Sequence, residues 1–273
     1  MTDGFTRTEF SRTDVCLSYL RGGATGELVV LLHGLAGSAR EMAPTGRALL
    51  DHHRVIALDQ RGHGHSTRRP PDLSRQSYVD DVIALIDAST ARISPEGGSV
   101  TLVGQSMGAH TALLVAAARP DLVHRLVMLE GGVGGSVDDY PARLGKFFAS
   151  WPVPFADENA AREFLGPKTI TDAWVHDLER RPDGLWPRFD PDVMEAAIRG
   201  VADVARWDAW TRVTAPTLLV RGEHGTVDNG EWRRMLELRP DVEHVLVPYA
   251  GHDVHLDQPA AWTTILRRFL HLT

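Results

Sequence analysis

Six short stretches of the chain are apolar at nearly every position: residues 28–32, 55–58, 100–103, 126–129, 217–220 and 245–247. Strands covered on both faces of a parallel sheet have this continuous pattern, because neither face can carry polar side chains. Residues 15–20 mix Val15, Leu17 and Leu20 with Ser18 and Tyr19, which predicts an edge strand. Between the runs the period changes. Val79, Val82, Ile83 and Ile86 fall at i, i+3, i+4 and i+7, with Asp80, Asp81 and Asp87 on other faces and Ser77 placed as an N-cap. Trp262, Ile265, Leu266 and Phe269 make a similar stripe near the C-terminus. Strands alternating with helices predict a parallel sheet wrapped by helices. The alternation stops between residues 131 and 212. That stretch holds Trp151, Trp174, Trp186, Trp207 and Trp210, several prolines and helical patterns but no good strand, and it reads as a largely helical insertion.

Composition changes this picture little. A chain of 273 residues has room for one large α/β domain or a core domain with an insertion. The net charge of −7, from 29 basic and 36 acidic residues, comes without a long Lys or Arg run. Pairs such as Arg68-Arg69 and Arg233-Arg234 read as solvated faces, so no nucleic-acid partner is expected. Cys16 is the only cysteine, which excludes an intramolecular disulfide and suits a reducing compartment. The segment Met1-Thr2-Asp3-Gly4-Phe5 has neither the basic nor the apolar region of a secretory leader. No apolar stretch approaches the ~20 residues that cross a bilayer. The expectation is a soluble cytoplasmic protein with no membrane partner.

The chemistry is concentrated at Gly104-Gln105-Ser106-Met107-Gly108, directly after one apolar run and before a helical stretch. A strand turning sharply into a helix through G-x-S-x-G presents the serine hydroxyl at a strained apex, a nucleophile elbow. A side chain two residues before or after the serine would clash where strand and helix nearly touch. A serine hydroxyl is a weak nucleophile at neutral pH and needs a base. His252, in Tyr249-Ala250-Gly251-His252-Asp253, follows the last apolar run, and a parallel sheet lines up such strand ends along one edge. The oxyanion of an acyl-transfer intermediate needs backbone donors. The N–H of Met107 at the start of a helix is one, and that of Leu35, in His33-Gly34-Leu35-Ala36-Gly37, is the other. Losing one such donor costs roughly 3–4 kcal/mol of transition-state stabilisation.

Together these residues resemble the α/β-hydrolase superfamily over nearly the whole chain. The matching pieces are His33-Gly34, the run Asp59-Gln60-Arg61-Gly62-His63-Gly64-His65-Ser66, the Ser106 pentapeptide and Gly251-His252, in order and each at a strand end. The resemblance implies an α/β-hydrolase fold: a mostly parallel eight-stranded sheet flanked by helices, with a helical cap inserted after the sixth strand. The expected division is a core of residues 1–130 and 213–273 and a cap of residues 131–212. By the same resemblance His33-Gly34 shapes the oxyanion loop and the Asp59–Ser66 run is mainly structural. His63 and His65 form an H-x-H pair, but Ser66-Thr67-Arg68 follows where a metal site would continue with Asp-His, so no metal is expected. No cofactor is expected either.

The triad acid is where the chain leaves the family pattern. Most members carry it after the seventh strand, in a Gly-x-x-Asp or Gly-x-x-x-Asp setting, and here Gly222-Glu223-His224-Gly225-Thr226 has no carboxylate at either position. Asp228 lies slightly further along that loop. Glu130, at the end of the sixth strand, is the other candidate, since some members place the acid there. The acid holds one histidine tautomer and stabilises the imidazolium. The resulting expectation is a carboxylesterase-like serine hydrolase, cleaving an ester, thioester or lactone of a small to medium apolar molecule through an acyl-enzyme on Ser106. Ser106, where aspartate would be required, argues against dehalogenase and epoxide-hydrolase chemistry. The alternatives are a C–C bond hydrolase or an acyltransferase (perhydrolase chemistry included) with the same triad, or a non-catalytic ligand-binding protein on the same fold.

Overall fold

The structure is a computed structural model that describes residues 4–91, 98–135 and 139–272. Met1, Thr2 and Asp3, part of the stretch read for a leader, lie outside the described residues, as do residues 136–138 of the insertion. The chain opens with β1 (Phe5–Ser11) and β2 (Cys16–Gly22), followed by β3 (Leu28–Leu32), α1 (Ala39–Arg47) and β4 (Arg54–Asp59). Next come α2 (Arg75–Thr90), β5 (Val100–Gln105), α3 (Met107–Ala118) and β6 (Val123–Leu129). The inserted segment carries α4 (Tyr140–Ala149), α5 (Glu158–Leu165), α6 (Thr169–Asp177), β7 (Glu179–Arg181), β8 (Gly184–Trp186), α7 (Pro191–Ala202) and α8 (Trp207–Arg212). The chain then returns through β9 (Thr217–Gly222), α9 (Asn229–Leu238), β10 (Glu243–Val247), α10 (Val254–Asp257) and α11 (Pro259–Phe269).

Eight strands form one sheet in the order β1-β2-β4-β3-β5-β6-β9-β10. β2 runs antiparallel to both neighbours, and every pair from β4 across to β10 is parallel. The continuous apolar runs are the central strands. Alternate residues of β3 serve opposite faces: Leu28, Val30 and Leu32 pack with α2 and α3, while Val29 and Leu31 pack on the side of α1 and α11. This is the mostly parallel eight-stranded sheet of the α/β-hydrolase fold.

Three local expectations change. The strand over residues 15–20 is not the edge; β1 covers it, and β1 has only Phe5 and Phe10 as apolar residues. An edge strand with one solvated side shows no apolar run, so its existence is decided by pairing with β2. The N-cap of α2 is Ser74, whose hydroxyl accepts from Ser77 N–H at 3.3 Å. The helix begins before its first apolar residue because Arg75, at its first turn, is itself buried. The insertion also contains the hairpin β7–β8, extended by a bridge between Phe155 and Leu185. Strands of three residues that include Arg180 and Arg181 leave no period-two signal.

The insertion has its own apolar cluster around Phe148, Trp151, Phe189 and Met194, with Ala36 of the core reaching into it. α8 behaves differently: Trp210 is fully buried in the cluster beneath the sheet and donates its indole N–H to Met235 O at 2.9 Å. Among the described residues no helix is long and apolar enough to cross a membrane.

Candidate active site

Ser106 lies between β5 and α3 with φ +52° and ψ −117°. A non-glycine residue in this region is strained, and surrounding structure must hold it there. Its N–H donates to Leu129 O at 2.9 Å, tying the turn to β6. The flanking glycines are obligatory by contact. A Cβ on Gly104 would lie 2.3 Å from Gly108 O, and one on Gly108 would lie 2.3 Å from Leu32 O. The close crossing of strand and helix thus has the form read from the pentapeptide. Leu35 and Met107 pack around one small apolar cluster with Tyr78 and Ile198, which brings the oxyanion-loop segment against the first turn of α3. His33 fixes that loop from below. Its Nδ1 is 2.7 Å from Gly34 O and its Nε2 accepts from Gln60 N–H at 3.0 Å, so the proton sits on Nδ1. Burial pushes the pKa of His33 down, consistent with a neutral ring.

His252 occupies the loop after β10, two residues before the first residue of α10. Its ring is partly open to solvent and its carbonyl accepts from Gln105 Nε2 at 3.2 Å, linking the histidine loop to the elbow. Nδ1 faces two oxygens: Glu130 Oε2 at 3.3 Å and Thr226 Oγ1 at 2.8 Å. None of the hydrogen bonds of His252 reaches Ser106; unliganded sites commonly tighten only around substrate. Burial lowers the imidazole pKa, but the hydrogen bond to Glu130 and the negative charges of Asp253, Glu130 and Glu41 outweigh it, so the net direction is upward.

Glu130 follows the last residue of β6 and has φ +46°. Its N–H continues the sheet ladder to Val220 O at 2.8 Å, and the strained turn sends the side chain toward β9. There both carboxylate oxygens are held by backbone donors, Oε1 by Gly222 N–H at 2.7 Å and Oε2 by Thr226 N–H at 2.8 Å. Gly225 makes room for it, since a Cβ at that position would lie 1.9 Å from Oε1. Asp228 is elsewhere in role. It is the N-cap of α9, accepting from Gly230 N–H at 2.7 Å and Glu231 N–H at 3.1 Å. Of the two candidate acids the fold therefore brings Glu130 to His252 and commits Asp228 to a helix end. The reason is local: the loop after β9 turns directly into α9, so Asp228 meets free helix N–H groups before it can approach the imidazole.

Thr226 was not a candidate in the sequence. It stands four residues after Gly222, where the resemblance would put an acid, and its hydroxyl touches the nitrogen that an acid there would touch. That coincidence of spacing was the available signal. Glu41 and His255 were also missed as a pair: Glu41 Oε1 lies 3.0 Å from His255 Nε2, both side chains almost fully buried. They are 214 residues apart in the chain, so no local pattern joins them.

Ser106 and His252 open into one cavity of about 160 Å³. Its other walls include Glu41, Asp253 and Leu35 from the core, and Tyr140, Phe147 and Trp174 from the insertion. Of the five tryptophans, Trp174 alone is among the lining residues. Trp151 packs within the insertion, Trp210 in the core, and Trp186 and Trp207 lie against Arg181 and Arg234. The Asp59–Ser66 run is framework. Asp59 accepts from Ala39 N–H and from His65 N–H, and Arg61 grips Asp81 through Nε and Nη2. The His63 ring lies 5.0 Å from that of His33, tilted by 55°, and burial takes its pKa down to about 3. Among the described residues no group of His, Cys, Asp and Glu is arranged to hold a metal ion.

The alpha/beta hydrolase family model matches residues 29–264. The 2-(acetamidomethylene)succinate hydrolase of Mesorhizobium japonicum is 30% identical over 258 residues, 92% of this chain and 90% of that protein. Esterase YbfF of Escherichia coli is 25% identical over 251 residues, 89% of this chain and 92% of its own. Among solved structures, the crystal structure of E-2-(acetamidomethylene)succinate hydrolase matches with a TM-score of 0.87 at 27% identity, covering 98% of this chain and 99% of that one. The enol-lactonase from Burkholderia xenovorans matches with a TM-score of 0.76 at 20% identity, covering 97% of this chain and all of that one, a likeness of fold.

Proposed function

Because the chain belongs to the alpha/beta hydrolase family, we propose that it is a serine hydrolase that cleaves an ester, thioester or lactone of a compact apolar acyl group. The observation that carries the reading is one cavity shared by the strained Ser106 and by a histidine whose Nδ1 is backed by the buried Glu130. Ser106 Oγ attacks the acyl carbonyl while His252 Nε2 accepts its proton. Glu130 accepts from Nδ1–H and stabilises the imidazolium, as the orienting acid of a triad does. The oxyanion takes the N–H groups of Leu35 and Met107. Collapse of the intermediate expels the alcohol or thiol with the proton from His252. Water, deprotonated by His252, then attacks the acyl-enzyme and releases the acid and free Ser106. Residues 131–212 act as the cap over this cavity, with α4, α6 and α7 supplying its apolar side.

The names of the relatives, hydrolases and esterases, support the general class. The succinate in the name of the first relative is not carried over, because no lysine or arginine is among the lining residues to receive carboxylates. The test is labelling with a fluorophosphonate probe, read by mass spectrometry, alongside turnover of a para-nitrophenyl ester. Wild-type protein is expected to be modified at Ser106 and the Ser106→Ala variant to be unmodified and inactive. Folded wild-type protein that resists the probe would overturn the assignment.

A further inference from the structure

The cavity walls have opposite character. The insertion contributes aromatic and aliphatic side chains, among them Tyr140, Phe147 and Trp174, and the core contributes two carboxylates, Glu41 and Asp253. Glu41 sits in the first turn of α1 with its side chain 4% exposed and its Oε1 3.0 Å from His255 Nε2. Asp253 directly follows the candidate base. It makes no side-chain cap bond to α10, and burial pushes its pKa up, helped by the nearby charge of Glu41 and opposed by His252 and His255. Among the described residues, the only basic side chain on the lining is that of His252, already engaged by Glu130.

Resting on the reading of this cavity as the acyl site, we propose that it selects acyl groups without a negative charge, and that Glu41 and Asp253 are the residues that exclude carboxylate-bearing ones. A carboxylate entering the cavity gives up its water and finds no cation to replace it. It also meets two groups of its own sign inside a confined, weakly screened space, which raises the cost further. An uncharged acyl group meets neither penalty and lies against the aromatic side. The volume of about 160 Å³ is close to the ~150 Å³ that accommodates a benzene-sized group. The substrate class is therefore a short, uncharged aliphatic or single-ring acyl donor, distinct from acyl groups ending in a carboxylate.

The test compares para-nitrophenyl butanoate with the para-nitrophenyl monoester of succinate, matched in length and differing in the terminal carboxylate. Wild-type kcat/KM is expected to be roughly a hundredfold lower for the succinyl ester. Asp253→Asn is expected to narrow that ratio by roughly tenfold, as is Glu41→Gln where the variant folds. The ratio between substrates cancels any effect of either change on His252 itself. Equal turnover of the two esters, or a ratio unchanged in Asp253→Asn, overturns the proposal. Calorimetric binding of both esters to Ser106→Ala separates this from the hydrolase reading. Tighter binding of the butanoate ester supports the substrate class even if the wild-type protein turns over neither, in which case only the catalytic reading fails. Equal binding overturns the substrate class whatever the turnover.

Discussion

Two side chains converge on one nitrogen, His252 Nδ1: Glu130 through its carboxylate and Thr226 through its hydroxyl. On the proposal that Glu130 is the triad acid, Glu130→Gln is expected to lower kcat by roughly 10³–10⁴-fold. Asp228→Ala should leave kcat nearly unchanged and lower the melting temperature, since Asp228 caps α9. A large kcat loss in Asp228→Ala, with Glu130→Gln active, would reverse the assignment. The same pair of groups sets the pH profile. The folded pKa of His252 is raised, so the neutral, basic form accumulates only above the ordinary histidine value of 6.5. The acid limb of kcat/KM is therefore expected above that value, and Glu130→Gln, which removes the stabilising charge, should move it to lower pH. Thr226 is a positioning residue in this scheme. Thr226→Val should cost about tenfold in kcat, the scale of one hydrogen bond to a charged group, and Thr226→Ser should restore it. Because Thr226 stands where a family acid would, Glu130→Gln combined with Thr226→Asp is expected to recover activity over Glu130→Gln alone. No recovery, with the fold intact, would show that the loop after β9 cannot deliver a carboxylate to Nδ1.

At the scale of elements, β5, the elbow and α3 form a unit whose geometry is set by close backbone approach. Gly108 packs on the end of β3, and Gly104 packs on Gly108 itself. A methyl group at Gly108 meets the Leu32 carbonyl oxygen at 2.3 Å, and backbone rather than a flexible side chain must move. Gly108→Ala is expected to destabilise the fold by about 1–3 kcal/mol, as overpacking does. It should also reduce fluorophosphonate labelling, because shifting α3 moves the Met107 N–H. Denaturant titration and labelling rate check the two effects separately. A second element-scale constraint joins β6 to the insertion. Glu231 on α9 accepts from Val133 N–H at 2.7 Å just after the strained Glu130, so the exit from the sheet is fixed by the helix that Asp228 caps.

Across the whole molecule, Ser106, His252 and Glu130 sit on segments that flank the sheet strands while most of the cavity's apolar wall comes from residues 140–198, so on the proposed reading substrate range and chemistry reside on different segments. Trp174 on α6 belongs both to the insertion's apolar cluster and to the cavity lining. Trp174→Ala is expected to shift the optimum acyl length upward, measured as kcat/KM over a series of para-nitrophenyl esters of increasing chain length. An unchanged optimum would place the acyl group elsewhere. The central strands, the elbow and the histidine loop were legible in the chain because each depends on local constraints: continuous apolar runs, glycines flanking a serine, a histidine just past a strand. β1 and the β7–β8 hairpin were not, since a solvated edge strand and three-residue strands depend on partners rather than on their own pattern. Thus the sequence by itself determined the central strands of the sheet and the positions of Ser106 and His252 at strand ends. Only the tertiary structure decided which carboxylate serves the histidine and what lines the cavity. Glu130 and His252 are 122 residues apart and Glu41 and His255 are 214 apart. Such contacts are created when β6 and β9 pair and α1 packs beside α10, and no local spacing encodes them.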